Sequence, residues 1–287
     1  EFVRVRGNSF LDSKGRDGRA YRGLWEISPI GYGGGWSEMY RYCYGGINRA
    51  NYVIDNVERM IANTSNEKVV KNLESIIGEC KLMRALVYFR LITMWGDVPY
   101  IDWRVYDNSE VDKLSRTPLV EVKNHILDDL QYAFDKLPEK ASVRGRFSQP
   151  AALALRGKVE LYWACWNHFG WPELDTFTPN EEEAKKAYKA AAEDFRKVID
   201  DYGLTLFRNG EPGECDELGK ADKLPNYYYL FLPTANGDGE FVLAFNHGGT
   251  NTGQGDQLMR DLAGRSIENS QCWVSPRFEI ADRYQST

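Results

Sequence analysis

Apolar positions recur along this chain in alternating steps of four and three, the spacing that lines one face of an α-helix. Cys43, Ile47, Ala50, Ile54, Val57 and Ile61 form the first such stripe. A second runs over about 66–95, with Ile76, Cys80, Met83, Val87, Leu91 and Met94 on one side and Leu82, Leu86 and Phe89 beside them. A helix apolar over so wide an arc needs neighbours on two sides, as inside a stack. The third predicted helix buries Leu119, Val122, Ile126, Leu130, Ala133 and Leu137. Thr117 stands where it could cap the free amides, Pro118 fits the first turn, and Pro138 ends the element. The fourth, about 148–169, carries Ala152, Leu155, Val159, Tyr162, Trp166 and Phe169. The fifth opens at Asn180 with three glutamates on the positive end of the helix dipole, and Gly203 closes it. Its face is Ala184, Tyr188, Ala191, Phe195, Val198 and Tyr202.

Helices of this length joined by short polar turns predict antiparallel hairpins stacked in a tetratricopeptide-like manner, although the consensus of that repeat is not evident. The pattern then changes. Segment 208–226 is rich in Gly, Glu, Asp and Pro and reads as a loop. The run EFVLAFN at 240–246, flanked by glycines, predicts a short buried strand. Residues 250–270 read as a long polar loop, the kind of segment that carries ligand contacts. The expected fold class is therefore mainly α, with a loop-rich second region containing short strands. Its division is a helical domain over 1–224 and the start of a second domain over 225–287.

Composition narrows the function. Across 287 residues the net charge is −6, which argues against nucleic acid as a partner. No apolar run is long enough to span a bilayer. The five cysteines are odd in number, widely spaced and free of any CxxC pair; Cys43, Cys80 and Cys165 fall on helical stripes, where a thiol packs as a small apolar group. His125, His168 and His247 are widely separated and none pairs with another at ligand spacing, which gives a zinc site or a histidine-based triad little support. Asp128–Asp129, Asp200–Asp201 and the 181–183 glutamates sit where solvation or the helix dipole accounts for them. Asn236, Asp238 and Glu240 resemble only a fragment of a calcium loop. No nucleotide, hydrolase or metalloprotease motif is present, so no catalytic residue, metal site or cofactor is predicted.

The aromatic content, 8 Trp and 17 Tyr, is the unusual feature. Trp25, Tyr32 and Trp36 lie in or beside the glycine-rich stretch YRGLWEISPIGYGGGW at 21–36, just before the first stripe. A ring on such a loop can offer its face to the apolar C–H side of a sugar, with nearby polar groups bonding the hydroxyls. It can equally pin the loop onto the helical body, and the residues leave both readings open.

Five segments, taken in order, resemble the SusD/RagB family. They are GINRANYVIDNVE at 46–58, ECKLMRALVYFRLITMWGDVPYID at 79–102, GRFSQPAALALRGKVELYWA at 145–164, AYKAAAEDFRKVIDDYGLTL at 187–206 followed by EFVLAF, and SPRFEIADRY at 275–284. Trp95 stands where that family's turn more often has Phe. The resemblance implies a non-catalytic, surface-exposed lipoprotein of the outer membrane. Such a protein captures oligosaccharides, or peptides in RagB-like members, for a SusC-like TonB-dependent transporter. It also implies a partial chain, with the lipid anchor outside it and the second half continuing past Thr287. By position, Trp25, Tyr32, Trp36 and Trp273 are the candidates for stacking on a ligand, with Arg22 and Asn269 as polar partners. A helical scaffold that binds only proteins is the other reading the pattern allows.

Overall fold

The computed structural model describes residues 3–5, 34–143, 145–170, 178–207, 230, 235, 239–244 and 274–276, with side chains for those between 39 and 244. Their elements, in chain order, are β1 (Val3–Val5), α1 (Gly34–Ala62), α2 (Glu67–Trp95), α3 (Leu119–Lys136), α4 (Gln149–Phe169), α5 (Glu181–Asp200) and β2 (Val274–Pro276). One turn of 3-10 helix, Asn108–Glu110, lies between α2 and α3. The chain divides into two compact units. One comprises Glu1–Tyr40, Glu214–Asp222 and Asn246–Thr287; its described elements include the antiparallel pair β1–β2, with Val3 opposite Pro276 and Val5 opposite Val274. The other, Arg41–Gly213 with Lys223–Phe245, holds the helical body.

In that body each helix packs antiparallel on the next, as cross-helix partners running in opposite order show. Ile54 and Val57 of α1 share a core cluster with Leu73 and Ile77 of α2, while Asn51, earlier in α1, bonds Arg84, later in α2. Lys81 of α2 meets Asp129 of α3, while Glu74, earlier in α2, meets Lys136, later in α3. From α3 to α4, Lys123 lies over the Trp163 ring and Gln131 accepts a hydrogen bond from Arg156. From α4 to α5, Arg156 clamps Asp194 while Trp163 bonds Glu183. The stacked-hairpin expectation is borne out, and the wide apolar arc of α2 is covered by α1 on one side and α3 on another. Gly157 allows the α4–α5 approach: a Cβ there would stand 2.9 Å from the Phe195 ring.

The predicted faces are largely the buried ones. Cys43, Ile47, Ala50, Ile54 and Val57 of α1 are all buried, as are Val122, Ile126, Leu130 and Ala133 of α3. Burial pushes the Cys43 and Cys80 thiols up from their usual pKa, and Cys43, Cys80 and Cys165 are unpaired. Elsewhere the structure corrects the pattern. The deepest side of α2 is Ile77, Leu82, Ala85, Tyr88, Leu91 and Ile92; of the predicted stripe Leu91 is fully buried, Ile76, Cys80, Met83 and Val87 are half-buried, and Met94 is 44% exposed. Phe169, expected inside, is 70% exposed because α4 ends there, one residue before Gly170. The described part of the predicted strand, 240–244, is turn and bend, partly buried rather than enclosed. A short apolar run does not by itself choose between strand and irregular backbone. α1 begins at Gly34, inside the glycine run that reads as loop in the sequence.

The start of α3 is corrected too. Thr117 does not cap it: its Oγ1 accepts from the Tyr100 amide, and its own backbone pairs with Val98 in a bridge. The amide of Leu119 instead donates to Asp97 Oδ1 at 2.7 Å, across 22 residues of chain. A cap of this kind contributes about 1 kcal/mol, with the carboxylate charge favoured at the helix N-terminus. Asp97→Ala should lower the stability measured by urea denaturation by that amount, and Thr117→Val should lower it less. The reverse order would show that Asp97 is not the cap.

Candidate functional site

Two surfaces of the helical body combine aromatic rings with charge, and a shared turn connects them. After α2, Gly96 takes φ 67°, a left-handed value that ends the helix, and Pro99 keeps it from resuming. The chain then runs extended across α1 and α2. Asn51 of α1, 2% exposed, donates to the carbonyls of Ile101 and Trp103. Asn48, one turn earlier, brackets Val105, accepting from its amide and donating to its carbonyl. Tyr88 of α2 bonds both backbone groups of Ile101 through one hydroxyl. The Asn-Arg-Ala-Asn run is thus a backbone clamp: two carboxamides one helical turn apart can mimic the edge of a strand.

Arg84 holds the clamp from below. Its Nε and Nη2 fork onto Asp129 of α3 at 2.7 and 2.8 Å, and its Nη1 donates to Asn51 Oδ1 at 2.7 Å. Lys81 adds a second cation on Asp129 at 2.8 Å. Arg84 and Asp129 are each 4% exposed, so Asp129 is a buried partner and not the solvated helix-face acid its sequence context predicts. Burial works against the guanidinium charge, but the hydrogen bonds and charge of Asp129 outweigh it, and the arginine is held above its ordinary pKa. Burial likewise pushes the Tyr88 and Tyr100 hydroxyls above the usual tyrosine range.

The clamped segment presents Trp103, Arg104 and Tyr106. The Arg104 guanidinium lies 4.1 Å from the centre of the Tyr52 ring and 4.2 Å from that of Tyr106. Both tyrosines are exposed, at 48% and 67%.

On the other side of the turn is a cleft of about 750 Å³, between the end of α2, the start of α3 and the second half of α4. Its walls include Trp95, Tyr162, Trp163 and Trp166, with Arg116 and Asp97 as charged members. Trp163 is fixed by two neighbours. Its Nε1 donates to Glu183 Oε1 at 3.0 Å, and the Lys123 ammonium stands 5.0 Å from its ring centre. Lys123 is 6% exposed and forms no ion pair or hydrogen bond among the described residues; burial lowers its pKa, and burial raises that of nearby Glu160. The two described histidines have neighbours of their own: His125 stacks on Tyr100 at 4.1 Å, and His168 Nδ1 lies 2.9 Å from Glu181.

Of the residues singled out in the sequence, Trp36 falls in the first turn of α1, with its side chain outside the described residues. Arg22, Trp25, Tyr32, Asn269 and Trp273 lie outside them altogether. Periodicity alone does not reveal the cleft. Its signal in the sequence is Tyr162, Trp163 and Trp166, three rings within five residues of one helix, more than a single buried stripe can take up.

Comparison with known proteins locates the chain. Residues 23–161 match the SusD-like family model described as "Starch-binding associating with outer membrane". SusD-like protein P2 of Formosa agariphila is 35% identical over 125 residues, 44% of this chain and 24% of that protein. A SusD-like protein of Bacteroides ovatus is 32% identical over 180 residues, 62% of this chain and 29% of that protein. The chain therefore spans about a quarter of the length of these curated relatives. A solved structure with xylogluco-oligosaccharide shares the fold at a TM-score of 0.63 and 24% identity, over 87% of this chain and 44% of that one.

Proposed function

We propose, from the match of residues 23–161 to the SusD-like family model, that the protein binds oligosaccharides at the outer membrane without transforming them. The observation that carries this reading is the match itself. It runs across the aromatic segment 25–36 and the helical body as far as residue 161 in α4, and its family is described as starch-binding. The solved structure with xylogluco-oligosaccharide adds a glycan ligand on the same fold. Stacked rings with a few polar groups bind sugars well and give no reaction, because hydrolysis needs two carboxylates facing one glycosidic bond.

In this reading Trp25, Tyr32, Trp36 and Trp273 stack on the sugar, while Arg22 and Asn269 bond its hydroxyls. The helical domain, 1–224, supports them, and the region from 225 onward opens a second, loop-rich domain. The protein sits at the cell surface on a lipid anchor and hands its cargo to a SusC-like TonB-dependent transporter.

Titration calorimetry of the whole protein against maltoheptaose, a xyloglucan heptasaccharide and a pool of tryptic peptides tests this. Saturable heat with a glycan, no product after prolonged incubation, and about tenfold weaker binding for Trp36→Ala are expected, tenfold being about 1.4 kcal/mol of lost stacking. Heat with peptides alone would make it a RagB-like peptide binder. Silence with all three ligands would leave a protein-interaction scaffold.

A further inference from the structure

The cleft at the end of α2 is built from other residues than those just assigned to the ligand, and its chemistry is that of a sugar site. We propose that it is a second saccharide subsite, taking a neutral pyranose unit of the same oligosaccharide class, with Trp95, Tyr162 and Trp166 supplying ring faces and Arg116 bonding hydroxyls. The proposal rests on the glycan-binding reading above and adds a location to it.

Volume and lining carry the first part of the argument. About 750 Å³ falls within the range of small-molecule sites, and aromatic walls with few polar groups are what such sites share. Trp95, Tyr162, Trp163 and Trp166 stand together here from two different helices, α2 and α4. Pyranose rings present an axial C–H face that packs on an indole or phenol, while their equatorial hydroxyls point outward to side-on donors and acceptors. Arg116 is placed for that role; it is exposed and makes no ion pair or hydrogen bond among the described residues. With only one arginine and one aspartate in the lining, the cleft has no charge excess to select an anionic sugar.

The second part is that one wall is held rigid at a cost. Placing the 6%-exposed Lys123 against Trp163, with no carboxylate in ion-pair reach among the described residues, is expensive for packing alone. Together with the bond from Trp163 to Glu183, it fixes the indole in one orientation. Trp163 is 6% exposed and offers no face itself, but Trp166 and Leu119 pack against the cluster it anchors, and a ring on a fixed base gives up less of its contact energy on binding. Asp97, the other charged member, is already oriented by its bond to the Leu119 amide.

The test uses the whole protein with maltoheptaose, a xyloglucan heptasaccharide and pooled tryptic peptides in calorimetry, comparing wild type with Trp166→Ala, Arg116→Ala and Trp36→Ala. Thermal unfolding of each variant runs alongside. If the cleft is a subsite, Trp166→Ala weakens binding of the better glycan about tenfold and Arg116→Ala several-fold. Arg116 is on the surface, so its variant decides the matter should Trp166→Ala lower the melting temperature. Wild-type affinity in both cleft variants, with binding lost in Trp36→Ala, overturns the subsite and leaves the glycan-binding reading standing. No glycan heat from wild type overturns both. Heat from peptides that Trp166→Ala abolishes also overturns the subsite, because the cleft would then take peptide side chains.

Discussion

Arg84→Ala should destabilise the helical body by about 3–5 kcal/mol, the largest loss expected from any single charge change in it. The substitution strands Asp129, 4% exposed, with Lys81 as its only remaining cation among the described residues. It also leaves Asn51 Oδ1 without the donor that orients its carboxamide. Removing one member of a buried pair costs far more than the pair contributes, because the remaining charge stays desolvated. The corresponding test is the double variant Arg84→Met with Asp129→Leu. Two apolar side chains of similar volume should restore much of the lost stability, since neither fully buried charge remains and Lys81, which loses its partner, is 21% exposed to solvent. Urea denaturation followed by far-UV circular dichroism measures both. A single variant within about 0.5 kcal/mol of wild type, the usual scale of a surface change, would mean that the buried network is not formed in solution.

Asn51→Leu should cost about 2–4 kcal/mol, and its effect should centre on the segment after Pro99. Leucine nearly preserves the volume but leaves the Trp103 carbonyl without its donor, the Ile101 carbonyl with Tyr88 alone, and Arg84 Nη1 with only its longer bond to the Asp102 carbonyl. Each buried polar group so orphaned costs about 1–3 kcal/mol, reduced where the segment can move out to water. Release of the segment would free Trp103, Arg104 and Tyr106, so tryptic cleavage after Arg104 should be faster in the variant. Asn48→Ala should have a smaller effect of the same kind, since its two bonds to Val105 lie nearer the surface. Unchanged stability together with unchanged cleavage at Arg104 would sink the clamp.

These networks lie beyond what local sequence patterns reveal. No property of position 129 by itself distinguishes a buried aspartate from its neighbour Asp128, and the pair reads equally well as two solvated acids on a helix face. The partner of Asp129 is 45 residues earlier, on another helix. Asn48 and Asn51 are visible as a motif, yet their task cannot be read from it because the backbone they clamp follows 50 residues or more later. The N-terminal cap of α3 shows the same thing on a smaller scale. Thr117 is the residue that local rules select, and Asp97 is the one whose carboxylate reaches the amide.

The sequence by itself determined the five helices, most of their buried faces and their order of packing. Periodicity is a local property: a stripe every three or four residues can be buried in only one way, and short polar connections leave an antiparallel neighbour as the simplest partner. It also carried the resemblance to the family, through motifs held in order along the chain. Only the tertiary structure decided which charges are buried, which carboxylate caps α3, and that Trp95, Tyr162, Trp163 and Trp166 share one cleft. Those outcomes depend on side chains meeting across separate helices, and helix spacing and rotation are set by packing that no single stretch of sequence contains.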